Sequence, residues 1–218
     1  VLDTKHYGDE INRSWVFRSL GYGTSVEAWK EMVSALQIVG YNHVMSIEHE
    51  DSYMTSKEGL EKAIKAADQR GIAKFFAITK VDSDNRDFYK TFEALRAELG
   101  NKLCPVVVPY MNGPVCEAFV NLCSNRAFKY PNGRPQEIDL VSDDNVVNMR
   151  AVLEEAVATV DEELMEKFFE GEPLTKEEII AGLTKGVETG EIWPVYACSA
   201  TKVDGCDMLL DAIIYSAP

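Results

Sequence analysis

The sequence predicts an α/β protein built on a parallel, mostly doubly wound sheet with an inserted α+β subdomain. Three observations carry that prediction. Apolar runs of strand length alternate with amphipathic stretches of helix length, which calls for parallel strands joined by crossover helices. The alternation pauses near residue 112 and resumes near 190. The 218 residues are 46% hydrophobic and 27% charged, enough to bury one sizeable core plus a smaller subdomain.

The elements follow in chain order. In "SVEAWKEMVSALQIV", residues 25–39, Val26, Trp29, Val33, Leu36 and Val39 recur at helical steps behind Ser25 as N-cap, and Gly40 stops the helix. "NHVMSIEHE" reads as a short strand, with its paired part at 44–47, and residues 1–4 as a further candidate strand. A second helix over 56–70 begins at Thr55, with Glu58 in capping-box spacing, and closes at Gly71. Strand 73–79, helix 87–99 ended by Gly100, and strand 103–108 come next. "PVCEAFVNLCSNRAFKYPNGRP" reads as a β-ribbon turning near Ser124-Asn125 and again at Pro131-Asn132-Gly133. Two acidic helices are expected over 143–168 and 175–188, then strand 192–198 and helix 206–215.

Composition narrows the function. Thirty-six acidic against 22 basic residues give a formal net charge of −14, a field that repels phosphate backbones and anionic lipid, so direct nucleic-acid and membrane partners are not expected. The five cysteines form no CxxC pair and fit free thiols in a reducing, cytoplasmic compartment, each first read as a small buried apolar residue. No signal peptide and no apolar run of about 18 residues is present. The chain opens on "VLDTKHYG" without an initiating Met and reads as an internal piece of something longer.

The stretch "FFAITKVDSDN", residues 75–85, sets an apolar strand before Thr-Lys-x-Asp. From about residue 66 to the end, "RGIAKFFAITKVD", "FEALRAELGNKLCPVVVP" and "DEELMEKFFEGEPLTKEEIIAGLTKGVETGEIWPVYACSATKVDGCDMLLDAI" follow one another in order. This part resembles the G domain of elongation factor G, a translational GTPase, including its inserted subdomain. The resemblance implies nucleotide-binding residues Thr79, Lys80 and Asp82 in the guanine-reading loop, and Ser199, Ala200 and Thr201, with Lys202 beside them, in the loop whose backbone N–H meets the guanine carbonyl. One carboxylate can accept from both the ring N–H and the exocyclic amine of guanine, a contact adenine cannot offer. Thr79 stands where that family usually carries Asn.

The phosphate half of such a site is missing. No GxxxxGK[ST] occurs; "GYGTSVEAWK" lacks the Lys-Ser or Lys-Thr, "GLTKGVETG" belongs to the inserted helices, and "DQRG" at 68–71 meets the DxxG pattern only at a helix end. Without that cradle a triphosphate loses most of its binding and the chemistry it supports.

The first 65 residues hold something else. "VLDTKHYGDEINRSWVFRSLGYG" and "WKEMVSALQIVGYNHVMSIEHEDSYMTSKEGLEKAI" resemble the C-terminal end of sugar phosphate isomerases/epimerases, the xylose-isomerase-like TIM barrels. The resemblance implies that Glu48 ends a barrel strand as a divalent-metal ligand and proton-transfer group, and that Arg18 and Gly21-Tyr22-Gly23 face a sugar. The family's remaining ligands come from strands that would precede this chain. His49, Glu50 and Asp51 replace them poorly, because adjacent strand residues face opposite ways and at most Glu48 and Glu50 share a face. His6 and His43 read as ordinary polar positions.

The domains expected are therefore a TIM-barrel-derived segment over 1–65, a G-domain-derived segment over 66–111 and 191–218, and the insertion over 112–190, joined near Ile64–Ala67 inside a helix. Three functions stay open: a chimera with weak guanine-nucleotide (GTP or GDP) binding and no complete catalysis, a metal-dependent isomerase or epimerase working through Glu48, and a folding unit without activity. A homodimer is expected, with a monomer capped by its own N-terminal segment as the alternative. Trp15, Phe17 and Tyr22 supply the apolar surface for either.

Overall fold

The structure, a computed structural model, describes residues 24–40, 54–69, 71–83, 86–140 and 143–216. The chain divides into two compact units, 1–71 and 72–218. The strands expected at 1–4 and 44–47 lie outside the described residues, as do Arg18, Glu48, His6, His43 and His49.

Two helices of the first unit are described. α1 (Val26–Ile38) starts where Ser25 accepts from the Ala28 N–H at 3.2 Å. α2 (Ser56–Asp68) carries the full capping box: the Glu58 N–H donates to Thr55 Oγ1 at 3.2 Å and the Thr55 N–H donates to Glu58 Oε2 at 2.8 Å. Reciprocal caps of this kind satisfy donors that no helix can pair internally. Ile64–Ala67 lies inside α2, and the Asp68–Gly71 pattern marks its end, with Gly71 at φ 62°.

The second unit is one mixed six-stranded sheet covered by helices. Its elements are β1 (Phe76–Ile78), α3 (Phe88–Leu99), β2 (Leu103–Asn112), β3 (Val115–Asn121), β4 (Arg126–Lys129), β5 (Gln136–Ile138), α4 (Asp144–Ala158), α5 (Glu162–Glu170), α6 (Lys176–Thr189), β6 (Trp193–Ala197) and α7 (Cys206–Ser216). Strand order is β1-β6-β2-β3-β4-β5. β6 runs parallel to β1 (Phe76↔Val195, Ile78↔Ala197) and parallel to β2 (Leu103↔Trp193, Cys104↔Pro194). All five β6 residues are buried, as a central parallel strand covered on both faces requires.

The α/β class and the parallel trio 73–79, 103–108 and 192–198 match the sequence reading, but half of the sheet is antiparallel. β2 runs on past Val108 to Asn112, turns through Gly113 and pairs with β3 (Pro109↔Phe119), and β4 and β5 continue outward. The ribbon is thus continuous with the parallel strands. A kink in register at Tyr110/Met111 re-aims the end of β2, as bulges do.

The long acidic helix expected over 143–168 is two helices. α4 ends at Ala158, and Asp161 N-caps α5 by accepting from the Glu163 N–H at 3.0 Å while its other oxygen holds Lys185 Nζ at 2.9 Å. A short acid that bonds its own backbone starts a new helix in preference to extending the old one.

α4 packs on β2 and α6 on β6, burying Leu153, Val157, Ile179, Val187 and Ile192. Each such side chain contributes roughly 1.5–3 kcal/mol when fully buried. α6 approaches closely because it presents glycine: a Cβ on Gly182 would meet Val157 Cγ1 at 2.5 Å, and one on Gly186 would meet Ile192 Cγ1 at 2.5 Å.

Candidate base-recognition loops

The two loops singled out in the sequence leave the C-terminal ends of adjacent parallel strands, the edge where ligands of open α/β sheets bind. After β1, the Ser83 N–H donates to the Lys80 carbonyl at 3.1 Å and closes a tight turn. Lys80 takes the left-handed conformation at φ 61°, and Val81 is buried at 3% exposure beneath it. Burying Val81 and turning sharply at Lys80 is what brings Asp82 back toward β6. Beyond β6, the Cys198 N–H donates to the Ile78 carbonyl at 3.1 Å, carrying the pairing of β1 and β6 to the base of both loops.

The second loop is closed by its own backbone. The Ser199 N–H donates to the Asp204 carbonyl at 2.8 Å, and the two residues form an isolated antiparallel bridge. Val203 and Gly205 both have positive φ, 65° and 75°. Gly205 packs where a Cβ would lie 3.0 Å from both the Ala197 carbonyl oxygen and Phe119 Cδ1. The loop is therefore pinned at its neck, with Ala200, Thr201 and Lys202 exposed at its tip.

Asp82 is the residue on which the loops converge. The fully buried Ser199 hydroxyl lies against its carboxylate, and Lys202 Nζ lies 3.2 Å from Oδ2. The same Ser199 oxygen accepts from the Lys202 N–H at 3.4 Å. The Asp82 carboxyl is held below its ordinary value, first by the Ser199 hydrogen bond, then against the opposing effect of burial with help from its own backbone N–H and Lys202. It is a carboxylate at neutral pH, 15% exposed as a side chain, acting only as acceptor.

Three neighbours had no signal in the sequence. Asp204 faces the same space and its carboxyl is pushed up by burial, with Lys202 opposing and the Asp82 charge adding to the rise. Cys116, from the turn end of the ribbon, is pushed up to about 12 by burial, with Asp82 and Asp204 contributing, and so stays a thiol. Cys206, at the start of α7, donates to the Ser199 carbonyl at 3.8 Å. Of these, Cys116 is distant in sequence, and only the folded sheet brings it to the loop neck.

Of the expected nucleotide-binding residues, Asp82 and Ser199 are brought into contact. Lys80, Thr79, Ala200 and Thr201 are exposed at the same strand ends. Glu48, expected as a metal ligand, lies outside the described residues. Among the described residues no group of three or more His, Cys, Asp or Glu is placed to hold a metal ion, and no helix is long and apolar enough to cross a membrane.

The fold has a solved counterpart. A crystal structure of a protein from Thermus thermophilus matches with a TM-score of 0.64 and 29% sequence identity, covering 73% of this chain and 24% of that one. The present chain thus spans about a quarter of that protein's length. No family model matches the sequence.

Proposed function

We propose that the chain is a chimeric or recombined α/β protein whose residues 66–218 form a guanine-base recognition module like that of elongation factor G, binding guanine nucleotides weakly and without hydrolysis. The observation that carries this reading is the Asp82 carboxylate, kept ionised and oriented by the Ser199 hydroxyl and the Lys202 ammonium at the ends of two adjacent parallel strands. A carboxylate held this way presents paired acceptors to the donor edge of guanine and repels the acceptor nitrogen at the same place in adenine. The exposed stem of Lys80 is available to lie along the base, and the exposed backbone at Ala200 and Thr201 to meet its carbonyl. Lys202 is 60% exposed, and an ion pair that open to water yields readily to a ligand.

Affinity is limited by what the sequence omits. With no phosphate loop, base contacts supply a few kcal/mol against an association cost of similar size, giving a dissociation constant of ~1 mM or weaker. Titration of GMP, GDP, GTP and AMP, followed by amide shifts of Lys80–Ser83 and Ser199–Lys202, tests the reading. Guanine nucleotides should bind alike whatever their phosphate number, AMP should not bind, and Asp82→Asn should abolish the response. A micromolar constant that tightens from GMP to GTP, or equal binding of AMP, refutes it.

A further inference from the structure

Two thiols flank the neck of the 199–205 loop. Cys198 is the residue after β6, and Cys206 is the first residue of α7. The Ser199–Asp204 bridge and the packing of Gly205 on Ala197 force the chain to return alongside itself, so these cysteines come to lie on adjoining backbone segments. The Cys206 thiol donates to the Ser199 carbonyl, next to Cys198, at 3.8 Å, and its sulfur is near enough to push the Cys198 thiol up. Nothing in base recognition uses either sulfur.

We propose that Cys198 and Cys206 are a dithiol oxidation site, forming a reversible disulfide that closes the 199–205 loop covalently and fixes Ser199 and Lys202 around Asp82. A disulfide needs Cα atoms about 4.4–6.8 Å apart, a spacing reached by residues on adjoining backbone segments. The two sulfurs have separate roles. Cys206 is half-buried and meets the oxidant, whereas Cys198 is buried, its thiol pushed up to about 11 by burial first and the Cys206 sulfur next, and it resolves the intermediate. With glutathione disulfide as oxidant, the Cys206 thiolate attacks one glutathione sulfur, forming a mixed disulfide and expelling one glutathione thiolate. The Cys198 thiolate then attacks the Cys206 sulfur, and the second glutathione leaves. Two protein thiols are oxidised and one glutathione disulfide is reduced to two glutathione thiols, which take up the two protons.

The remaining cysteines serve as internal comparison. Cys104 and Cys123 adjoin each other but are 0% and 7% exposed inside the core, out of reach of glutathione. Cys116 is half-buried and bonded to the Ala118 carbonyl at 3.7 Å.

The proposal rests on the base-recognition reading only for its effect on nucleotide binding; the bond and the locked loop are measured without nucleotide. The full chain is equilibrated in glutathione buffers of increasing oxidised fraction, free thiols are alkylated, and unreduced peptides are mapped by mass spectrometry. A Cys198–Cys206 linkage that is reversed by dithiothreitol and absent in Cys206→Ser is expected, with Cys104 and Cys123 unlinked. Amide exchange at Ser199 and Lys202 should slow by about tenfold in the oxidised form, from loop closure alone. Alkylation of both residues at every glutathione ratio, a linkage that maps to Cys116, or unchanged loop exchange in the linked protein would each overturn the proposal. If the linkage and slowed exchange are found but no guanine nucleotide binds in either form, the base-recognition reading fails and the redox site stands.

Discussion

Gly205→Ala tests whether the neck of the second loop is as tight as its geometry requires. The residue sits at φ 75°, where a side chain costs about 1 kcal/mol relative to glycine. The new methyl group would also lie 3.0 Å from the Ala197 carbonyl oxygen and 3.0 Å from Phe119 Cδ1. Neither neighbour can give way freely. Ala197 belongs to the central strand β6, paired with Ile78, and Phe119 is 3% exposed and set edge-on against Tyr130. Tyr130 is itself tied to Asp207 of α7 by a 2.6 Å hydrogen bond. Overpacking at such a place costs roughly 1–3 kcal/mol, for a total of about 2–4 kcal/mol. For a protein of this size that lowers Tm by about 5–15 °C. Thermal unfolding followed by far-UV circular dichroism measures the shift, and amide exchange at Ser199 shows whether the Ser199–Asp204 bridge loosens with it. A Tm within about 1 °C of the parent would refute the reasoning, because it would mean the neck has room the structure denies it.

Further outcomes follow from the same residues. The Asp82 carboxyl titrates lower in the folded protein than in the unfolded chain, so its contribution is fully present above the unfolded value of about 3.9 and is lost as pH falls through the lower folded value. The base loops should therefore be unchanged from pH 7 to 5, and loss of the Asp82–Ser199 contact already at pH 5, read from the Asp82 carboxyl shift, would contradict this. Asp204 has the opposite sign: its raised value means that ionisation costs stability as pH rises through the carboxylate range, so Asp204→Asn should raise Tm at pH 7 and lose that advantage near pH 3. A variant less stable than the parent at pH 7 would count against the crowding of the two carboxylates. GTP hydrolysis should not exceed background in a phosphate-release assay, since phosphate and metal contacts supply most of the acceleration in phosphoryl transfer; multiple-turnover cleavage that disappears in Asp82→Asn would overturn this. A homodimer is expected in light scattering, because β1 pairs on one side only among the described residues and leaves Ala77 exposed at the sheet edge. A constant monomer mass from micromolar to near-millimolar protein would exclude it.

What the amino-acid order determined by itself is what depends on near neighbours. Ser25 and Thr55 mark helix starts because a cap bonds a backbone group two or three residues away, and Gly71 and Gly100 mark ends because only local backbone sterics are involved. The apolar runs 73–79, 103–108 and 192–198 were legible as parallel strands from their alternation with helices. The two candidate loops were legible as residue strings, Thr79–Asp82 and Ser199–Thr201. Tertiary structure decided everything that joins distant segments. The break at Thr159–Asp161 comes from a cap that Lys185 of another helix helps to hold, and the ribbon joins the main sheet because β2 continues unbroken into it. The convergence of Asp82 and Cys116 on the 199–204 loop follows from β6 lying between β1 and β2, and the approach of Cys198 and Cys206 from the Ser199–Asp204 bridge that closes the loop between them. Periodicity reports which face of an element is buried, but not which element lies next to it. That choice is made by the packing of the whole core, among segments more than a hundred residues apart.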